Sequence, residues 1–254
     1  MFPYDAQLAA ATQTPARSIP EVLQIMQTTE NSCIEGDGLK WFNWLYLTVA
    51  RAVENRVITG GFTDPTWLAE LDVQFANLYF SALHTSITGG DSPGCWGAMF
   101  VRRNQTMIAR IQFAIAGMNA HINHDLPEAI VVTCKAGNTV PQHGTSQYRD
   151  YMALNSTLSG LIDSAKATLK VRLLGDPLRP VSHLEDTIAA WSLATAREKA
   201  WNSAEILWHL QDLSPLAAGF IDSLEGLTTV ASKALLVPVP LGLSEAESSP
   251  KLLP

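Results

Sequence analysis

Apolar residues recur three or four positions apart through most of this 254-residue chain, and alternating apolar and polar runs are scarce. That spacing follows the 3.6-residue turn of an α-helix, whereas a half-buried strand alternates every second residue. The short β-branched run VVTC, residues 131–134, cannot build a sheet alone. We therefore predict an all-α fold, a single-domain helical bundle with a central apolar cavity.

Glycine and proline divide the apolar pattern into helical segments. Gly60 and Gly61 end one helix, and Thr63-Asp64-Pro65 predicts the capped start of the next. Pro127 should end or kink a long helix near Asp125, because proline lacks an N–H and its ring clashes with the preceding turn. We predict helices at about 19–28, 39–57, 66–87, 96–102, 104–125, 146–174, 184–213 and 215–235, with a loop at 135–145.

Composition limits the classes of partner and compartment. No linker divides the chain, so we predict one domain over residues 1–254, with an arm at 1–18 and a Pro- and Ser-rich tail at 237–254. The 17 Lys and Arg against 24 Asp and Glu give a net charge of −7, which disfavours nucleic acid and anionic membranes. Three isolated cysteines, no leader and no long apolar run predict a cytoplasmic protein without a membrane span.

The densest group of reactive side chains lies in GMNAHINHDLP, residues 117–127. His121, His124 and Asp125 stand at i, i+3 and i+4, so they share one face of a helix. Two imidazoles and a carboxylate can bind a divalent metal, although they fill only part of its coordination shell. The alternative is that they decorate a helix end, with Asp125 as a cap. The preceding apolar run IQFAIAG favours burial, and buried polar groups must be paired.

Further polar residues interrupt helices that are otherwise apolar. Asp72, Asn155 and Asp37 are candidates for additional metal ligands. The spacing of Asn155, Ser159 and Asp163 resembles the Asn/Ser/Glu metal motif of class I terpene synthases, but it also fits a solvated helix face. The aspartate-rich DDxxD motif is absent from the sequence.

Basic and aromatic residues complete the predicted site. Cations beside a carboxylate and imidazole cluster suit a diphosphate, and aromatic ring faces can stabilise positive charge. The candidate diphosphate ligands are Arg51, Arg103, Arg110, Lys135 and Arg149. The candidate pocket residues are Trp44, Phe75, Tyr79, Phe113 and Gly117, where glycine would leave room above the polar cluster.

At GMNAHINHDLP, together with DGLKWFNWLYLTVARAV, FTDPTWLAELDVQFANLYFSAL and DYMALN, the sequence resembles a bacterial and fungal family of unknown function, DUF5995. It is also similar to the fungal sesquiterpene synthases that make α-ionylideneethane from farnesyl diphosphate and lack the usual terpene-synthase motifs. This resemblance implies a terpene-synthase-like helical fold and a diphosphate bound through Mg²⁺, with Mn²⁺ and Zn²⁺ as alternatives. It implies acid–base roles for His121, Asp125 or His84, because a neutral polyene intermediate must be reprotonated.

Two other functions stay open. Zinc-dependent phospholipase C and P1-type nucleases are all-α and use His-x3-Asp, which His121 and Asp125 satisfy. However, His143 and His183 lack the acidic partner four residues later that a second pair would need. A non-catalytic carrier of apolar ligands is the third possibility, and a homodimer is compatible with each function.

Overall fold

The computed structural model describes residues 2–173 and 192–238, and it confirms the predicted all-α fold. Across these residues the regular structure is helical, without a strand. The elements are α1 (Asp5–Thr12), α2 (Ile19–Ser32), α3 (Gly38–Thr59), α4 (Pro65–Ile87), α5 (Gly94–Phe100), α6 (Arg110–Ala120), a π-helical turn (His121–Asp125), α7 (Leu126–Ala136), α8 (Ser146–Leu173), α9 (Leu193–Leu210) and α10 (Ser214–Leu235).

The central element is the continuous run of α6, the π-helical turn and α7. Helix α6 packs against α3, α5 and α10, and α7 packs against α4 and α9. Every residue of α6 from Ile111 to Ala120 is buried, including the polar Gln112 and Asn119. A helix that is buried on all sides belongs to the interior of a bundle. The polar residues that follow α6 therefore lie in the core.

The predicted boundary between α3 and α4 is confirmed. Gly60 and Gly61 have φ angles of 85° and 97°, in the left-handed region that glycine adopts without steric cost. The Asp64 carboxylate accepts a hydrogen bond from the Trp67 N–H at 3.0 Å, and Pro65 opens α4. Such a cap satisfies a backbone donor that has no partner within the helix.

The long helix predicted over residues 104–125 differs from the structure at both ends. It begins only at Arg110, where the Gln112 side chain accepts from the Ala109 N–H at 2.8 Å. Pro127 does not end it. Instead the Leu126 N–H donates to the His121 carbonyl, five residues earlier, and helix continues to Ala136. The widened turn accommodates a proline that cannot donate to the preceding turn.

The predicted N-terminal arm contains a helix, α1, that is held by buried charge. Arg103 Nη1 lies 3.0 Å from Asp5 Oδ1, and Arg103 Nε donates to Asp37 Oδ1 at 2.9 Å. The Tyr4 hydroxyl also donates to Asp37, at 2.9 Å. These contacts join α1 to the start of α3 and to the segment before α6. The predicted tail beyond residue 238, His183 and the start of the predicted helix at 184–191 lie outside the described residues.

Candidate active site

The predicted cluster lies on the π-helical turn in the interior of the bundle. His121 has no exposed surface, Asp125 is 2% exposed, and His124 is partly buried. Short π-helical turns inside α-helices occur frequently at functional sites. The side chains of His121 and His124 both contact Asp125, so the three lie together as their sequence spacing predicts.

Asp125 accepts hydrogen bonds from three rings. His121 Nδ1 lies 2.9 Å from Asp125 Oδ2, and His124 Nδ1 lies 2.7 Å from Asp125 Oδ1. Trp96, on α5, donates its Nε1–H to Asp125 Oδ2 at 2.9 Å. Both histidine Nδ1 atoms carry a proton in this arrangement, because an ionised carboxylate only accepts. Asp125 makes no side-chain cap and the helix continues past it, so it does not terminate a helix.

Burial and hydrogen bonding shift the pKa values of His121, His124 and Asp125. Burial lowers the pKa of His121, and the hydrogen bond to Asp125 offsets this only in part. Burial opposes ionisation of Asp125, but the hydrogen bonds from His121 and His124 outweigh it and lower the pKa of the carboxyl. For His124, burial is outweighed by the hydrogen bond and charge of Asp125, which raise its pKa. At neutral pH His121 is therefore neutral beside an ionised Asp125.

Aromatic rings from three helices surround the His121 imidazole. Phe75 of α4 stacks on it, with ring centroids 3.4 Å apart and planes 5° from parallel. Tyr46 of α3 stands edge-on at 4.5 Å, and Tyr79 lies at 6.2 Å. Trp96 closes another side at 5.8 Å. We call these five residues the His121 enclosure.

Several buried polar atoms in and beside the enclosure have no hydrogen-bond partner among the residues that the structure describes. They are His121 Nε2, the hydroxyls of Tyr46 and Tyr79, and Asp72 Oδ2. An unpaired buried polar group costs about 1–3 kcal/mol, so each such group calls for an explanation. Because Nδ1 of His121 is protonated, its unpaired Nε2 carries a lone pair directed into the interior.

Three of the predicted pocket residues have other surroundings. Gly117 does not leave room above the cluster, because the Phe42 ring occupies the space that a Cβ would need. Phe113 packs against Gly38 instead, two helical turns before His121. Trp44 is two residues from Tyr46 on α3 and so faces away from the enclosure. Phe75 and Tyr79 are the predicted pocket residues that the fold brings to His121.

Asn155 contacts a cation that the sequence analysis did not single out, Arg197 of α9, and Asp72 lies within electrostatic range of it. Arg197 Nε donates to Asn155 Oδ1 at 2.7 Å, and its Nη2 donates to the Tyr151 carbonyl at 2.8 Å. Its guanidinium lies 3.8 Å from the centre of the Tyr151 ring. The charge of Asp72 acts on the pKa of Arg197, and that of Arg197 on the pKa of Asp72. Ser159 is half-buried and Asp163 is exposed.

These contacts do not fit the predicted metal site. His121 and His124 direct Nδ1 at Asp125 rather than at a shared ion, and Asn155 Oδ1 is engaged by a guanidinium. Among the described residues, no group of three or more His, Cys, Asp or Glu side chains is arranged to hold a metal. Dependence on Mg²⁺, Mn²⁺ or Zn²⁺ stays a prediction, and no step proposed below is routed through a metal.

The five cations predicted to bind a diphosphate contact different elements rather than one another. Arg103 is engaged by Asp5 and Asp37, as described above. Of the others, Arg51 bonds Gln27, Arg110 packs on Trp41 and pairs with Glu35, Arg149 donates to the Gly144 carbonyl, and Lys135 is exposed.

Two other predicted residues lie near the N-terminal helix. His84 Nδ1 is 3.0 Å from the Ala9 carbonyl, so it joins α4 to α1 rather than reaching the enclosure. Asp37 caps α3, accepting from the Leu39 N–H at 2.9 Å, in addition to its contact with Arg103. Both side chains have local structural partners.

A surface groove of about 480 Å³ runs beside the π-helical turn. Asn119 and Asn123 line one side, and Lys199, Ile206 and Leu227 line the others. Neither His121 nor Asp125 lines this groove, and the rings of the enclosure are in contact. The central apolar cavity therefore stays a prediction. None of the described helices is both long enough and apolar enough to cross a membrane.

Comparison with known proteins gives one family. The model of a family of unknown function, DUF5995, matches residues 19–238. The match includes the π-helical turn, the His121 enclosure and Arg197. No curated protein and no solved structure matches the chain.

Proposed function

Because the chain belongs to the DUF5995 family, whose function is unknown, we propose its activity from the site itself: it is an enzyme in which His121 Nε2 accepts a proton from an apolar substrate. One observation carries this proposal. The His121 imidazole is buried and neutral, its Nδ1 is held by Asp125, and its Nε2 has no partner.

The arrangement has the parts of an activated general base. A base must be unprotonated at the working pH and must present its lone pair to the substrate. Asp125 holds the imidazole in one tautomer and stabilises the imidazolium that forms when Nε2 takes a proton, as a carboxylate does behind a catalytic histidine. Trp96 fixes the same carboxylate from the other side. His124 connects it to the partly exposed edge of the cluster.

The enclosure favours an apolar substrate that carries positive charge during the reaction. Tyr46, Phe75, Tyr79 and Trp96 present ring faces and edges, and ring faces attract cations. A site without bulk water also protects a carbocation from hydrolysis. His121 has no exposed surface, so a substrate reaches Nε2 only when a ring of the enclosure moves. Phe75, which is partly exposed, is the ring that we expect to move.

We assign the substrate as an allylic isoprenoid diphosphate, with farnesyl diphosphate first, on the similarity to sesquiterpene synthases. The allylic C–O bond breaks, and its electron pair leaves with the diphosphate. The resulting cation loses a proton from a neighbouring carbon to His121 Nε2, and the C–H electron pair becomes a new double bond. The enzyme is thus a carbon–oxygen lyase, and an α-ionylideneethane-type hydrocarbon is the expected product.

The test is incubation of the purified full chain with geranyl, farnesyl and geranylgeranyl diphosphate, with and without MgCl₂, followed by gas chromatography–mass spectrometry of the extracts. We expect a hydrocarbon from farnesyl diphosphate. His121→Gln should reduce its formation by a factor of about 10²–10⁴, the usual contribution of a general base. His209→Gln, at an exposed position of α9, is the matched control and should keep the rate.

Absence of any hydrocarbon from all three substrates would overturn the lyase. Binding of farnesol without turnover would then support the apolar-ligand carrier, and release of phosphate from phosphoesters only with Zn²⁺ would support the hydrolase. A hydrocarbon formed at the same rate by His121→Gln would remove His121 from the mechanism.

A further inference from the structure

One face of α4 carries a second polar group toward the His121 enclosure. Asp72, Phe75 and Tyr79 stand at i, i+3 and i+7, so they share that face. Phe75 stacks on His121, and Tyr79 belongs to the same enclosure. Asp72 therefore lies one helical turn before the ring that covers the proposed base.

Asp72 is nine-tenths buried and lacks a complete set of partners. It is 8% exposed, and its Oδ2 has no hydrogen bond. Burial raises the pKa of Tyr46, and the charges of Asp72 and Asp125 both raise it further. The Tyr46 hydroxyl also has no hydrogen-bond partner among the described residues. Tyr46 thus lies within electrostatic range of two carboxyl groups, and its ring is 4.5 Å from that of His121.

The surroundings of Asp72 are unusual for a structural carboxylate. Arg197 is near enough for its charge to lower the pKa of Asp72. However, its guanidinium donates its hydrogen bonds to Asn155 Oδ1 and the Tyr151 carbonyl. Glu54 of α3 adds a repelling negative charge. A carboxyl held in the core without a salt bridge or a hydrogen bond to that oxygen gains little stability from ionising.

We infer that Asp72 is the acid of the active site, which returns a proton to the substrate after His121 has removed one. The inference rests on the proposed function, because it assigns the second proton transfer of the same reaction. A site with a base at one end and an acid at the other can move a proton between two carbons of one apolar chain. Tyr46 contacts the His121 ring and lies within electrostatic range of Asp72, so it links the two ends of this site.

After His121 has taken a proton, the substrate is a neutral polyene. The Asp72 carboxyl gives its proton to an alkene carbon, whose π electrons form the new C–H bond and leave a cation on the adjacent carbon. A second double bond attacks that cation and closes a ring. The ring cation loses a proton to the Asp72 carboxylate, which regenerates the acid. His121 Nε2 gives its proton to solvent when the product leaves, which restores the Nδ1–H tautomer that Asp125 holds.

The protonation state of Asp72 agrees with this role. Burial and, to a smaller extent, the charge of Glu54 raise its pKa to about 7, although the charge of Arg197 opposes both. A sizeable fraction of the carboxyl therefore carries a proton at neutral pH. His121, in the same interior, is unprotonated there. Environments that shift the pKa of a carboxyl upward and that of an imidazole downward are typical of an acid and base pair in one site.

The experiment compares product identity in Asp72→Asn and wild type with farnesyl diphosphate, in H₂O and in D₂O. In D₂O the wild-type cyclic product should gain deuterium, because Asp72 exchanges its proton with solvent. Asp72→Asn should still release diphosphate at a rate within about threefold of wild type, while the cyclic product falls by about 10²-fold or more and a linear polyene replaces it. Asp222→Asn, exposed on α10, is the control and should leave the products unchanged.

Each outcome decides the inference. If Asp72→Asn forms the cyclic product in the same proportion as wild type, the role of Asp72 is overturned while the proposed lyase activity stands. No product from wild type would overturn both. If Asp72→Asn does not fold, Asp72→Glu decides, because a displaced acid must raise the ratio of linear to cyclic product by about tenfold, and an unchanged ratio would overturn the assignment.

Discussion

Trp96 Nε1 and His121 Nδ1 lie at the same distance, 2.9 Å, from one oxygen of Asp125. The indole belongs to α5 and the imidazole to the π-helical turn, so this shared acceptor ties the proposed base to a separate helix. Trp96 is fully buried and contacts the His121 ring as well. In the proposed mechanism it is thus a positioning residue, which would act on the reaction through Asp125.

We expect Trp96→Phe to lower the stability of the protein and to make the orientation of the His121 imidazole less fixed, because Asp125 loses one of its donors. Loss of a buried hydrogen bond to a carboxylate costs about 1–3 kcal/mol, which lowers Tm by about 3 to 10 °C in a domain of this size. Trp208→Phe on α9, which loses no bond to Asp125, is the control for ring size. Thermal unfolding gives Tm, and the rate of hydrocarbon formation reports the orientation of the proposed base. A folded Trp96→Phe that keeps the wild-type rate would contradict the positioning role.

Gly117 and Gly160 should respond oppositely to the same substitution. A Cβ at Gly117 would overlap the ring of Phe42, which is completely buried, whereas nothing lies within 4 Å of a Cβ at Gly160 of α8. We expect Gly117→Ala to lower the free energy of unfolding by about 1–3 kcal/mol through overpacking. Gly160→Ala should raise it by about 0.5–1 kcal/mol by removing helix-interior glycine. Urea denaturation measures both, and a neutral Gly117→Ala would show that Phe42 can move freely.

We expect movement of Phe75 to open access to the proposed base. Phe75 is only partly buried, yet it stacks on a completely buried imidazole. Diethylpyrocarbonate, which acylates unprotonated histidine nitrogen, should leave His121 unmodified in wild type. In Phe75→Ala it should modify His121, as read by peptide mass spectrometry. Phe220→Ala on α10 is the control, and equal protection of His121 in both variants would argue against this route.

A pH effect on stability is expected from His143, outside the active site. Its ring nitrogens lie 2.6 Å from Glu205 and 3.1 Å from Glu198, while Tyr148 packs beside it. The hydrogen bond to Glu198, with that to Glu205, raises the pKa of His143 although burial opposes this. The stabilisation is therefore full below the unfolded pKa of about 6.5 and is lost as pH rises through the higher folded value.

The measurement is the Tm of wild type and His143→Gln between pH 5.5 and pH 9. The difference between the two proteins should be larger at the acidic end and should shrink as pH rises. The side chain is 42% exposed, so solvent screening keeps the effect small. A difference that grows toward pH 9 would mean that the two glutamates do not act through the protonated ring.

The local parts of the site could be predicted from sequence. The spacing of His121, His124 and Asp125 fixes their proximity on any helical turn, and the apolar run before them fixes their burial. The contact of Phe75 with His121 could not be derived, since it depends on how α4 packs on the central helix. Pro127 signalled a disturbance, but spacing does not distinguish a helix end from a π-helical turn.

Arg197 and α1 show where sequence patterns carry little signal. Arg197 lies 42 positions from Asn155, and a single arginine in an alanine-rich helix usually faces solvent. Its position beside the buried Ala196, Ala200 and Trp201 was the available hint. Helix α1 has one large apolar side chain, Leu8, so it shows no repeat to detect. Its attachment to the fold depends on charge rather than on an apolar face.

The family match begins at residue 19, but the folded unit begins earlier. Asp5 lies before that boundary and is one of the two carboxylates that neutralise the buried guanidinium of Arg103. A chain shortened to the matched segment would keep every residue of the proposed active site and still expose a half-compensated positive charge beside the start of α3. Loss of activity in such a truncated protein would therefore report the loss of the ion pair between Asp5 and Arg103, not a role for residues 2–18 in the reaction.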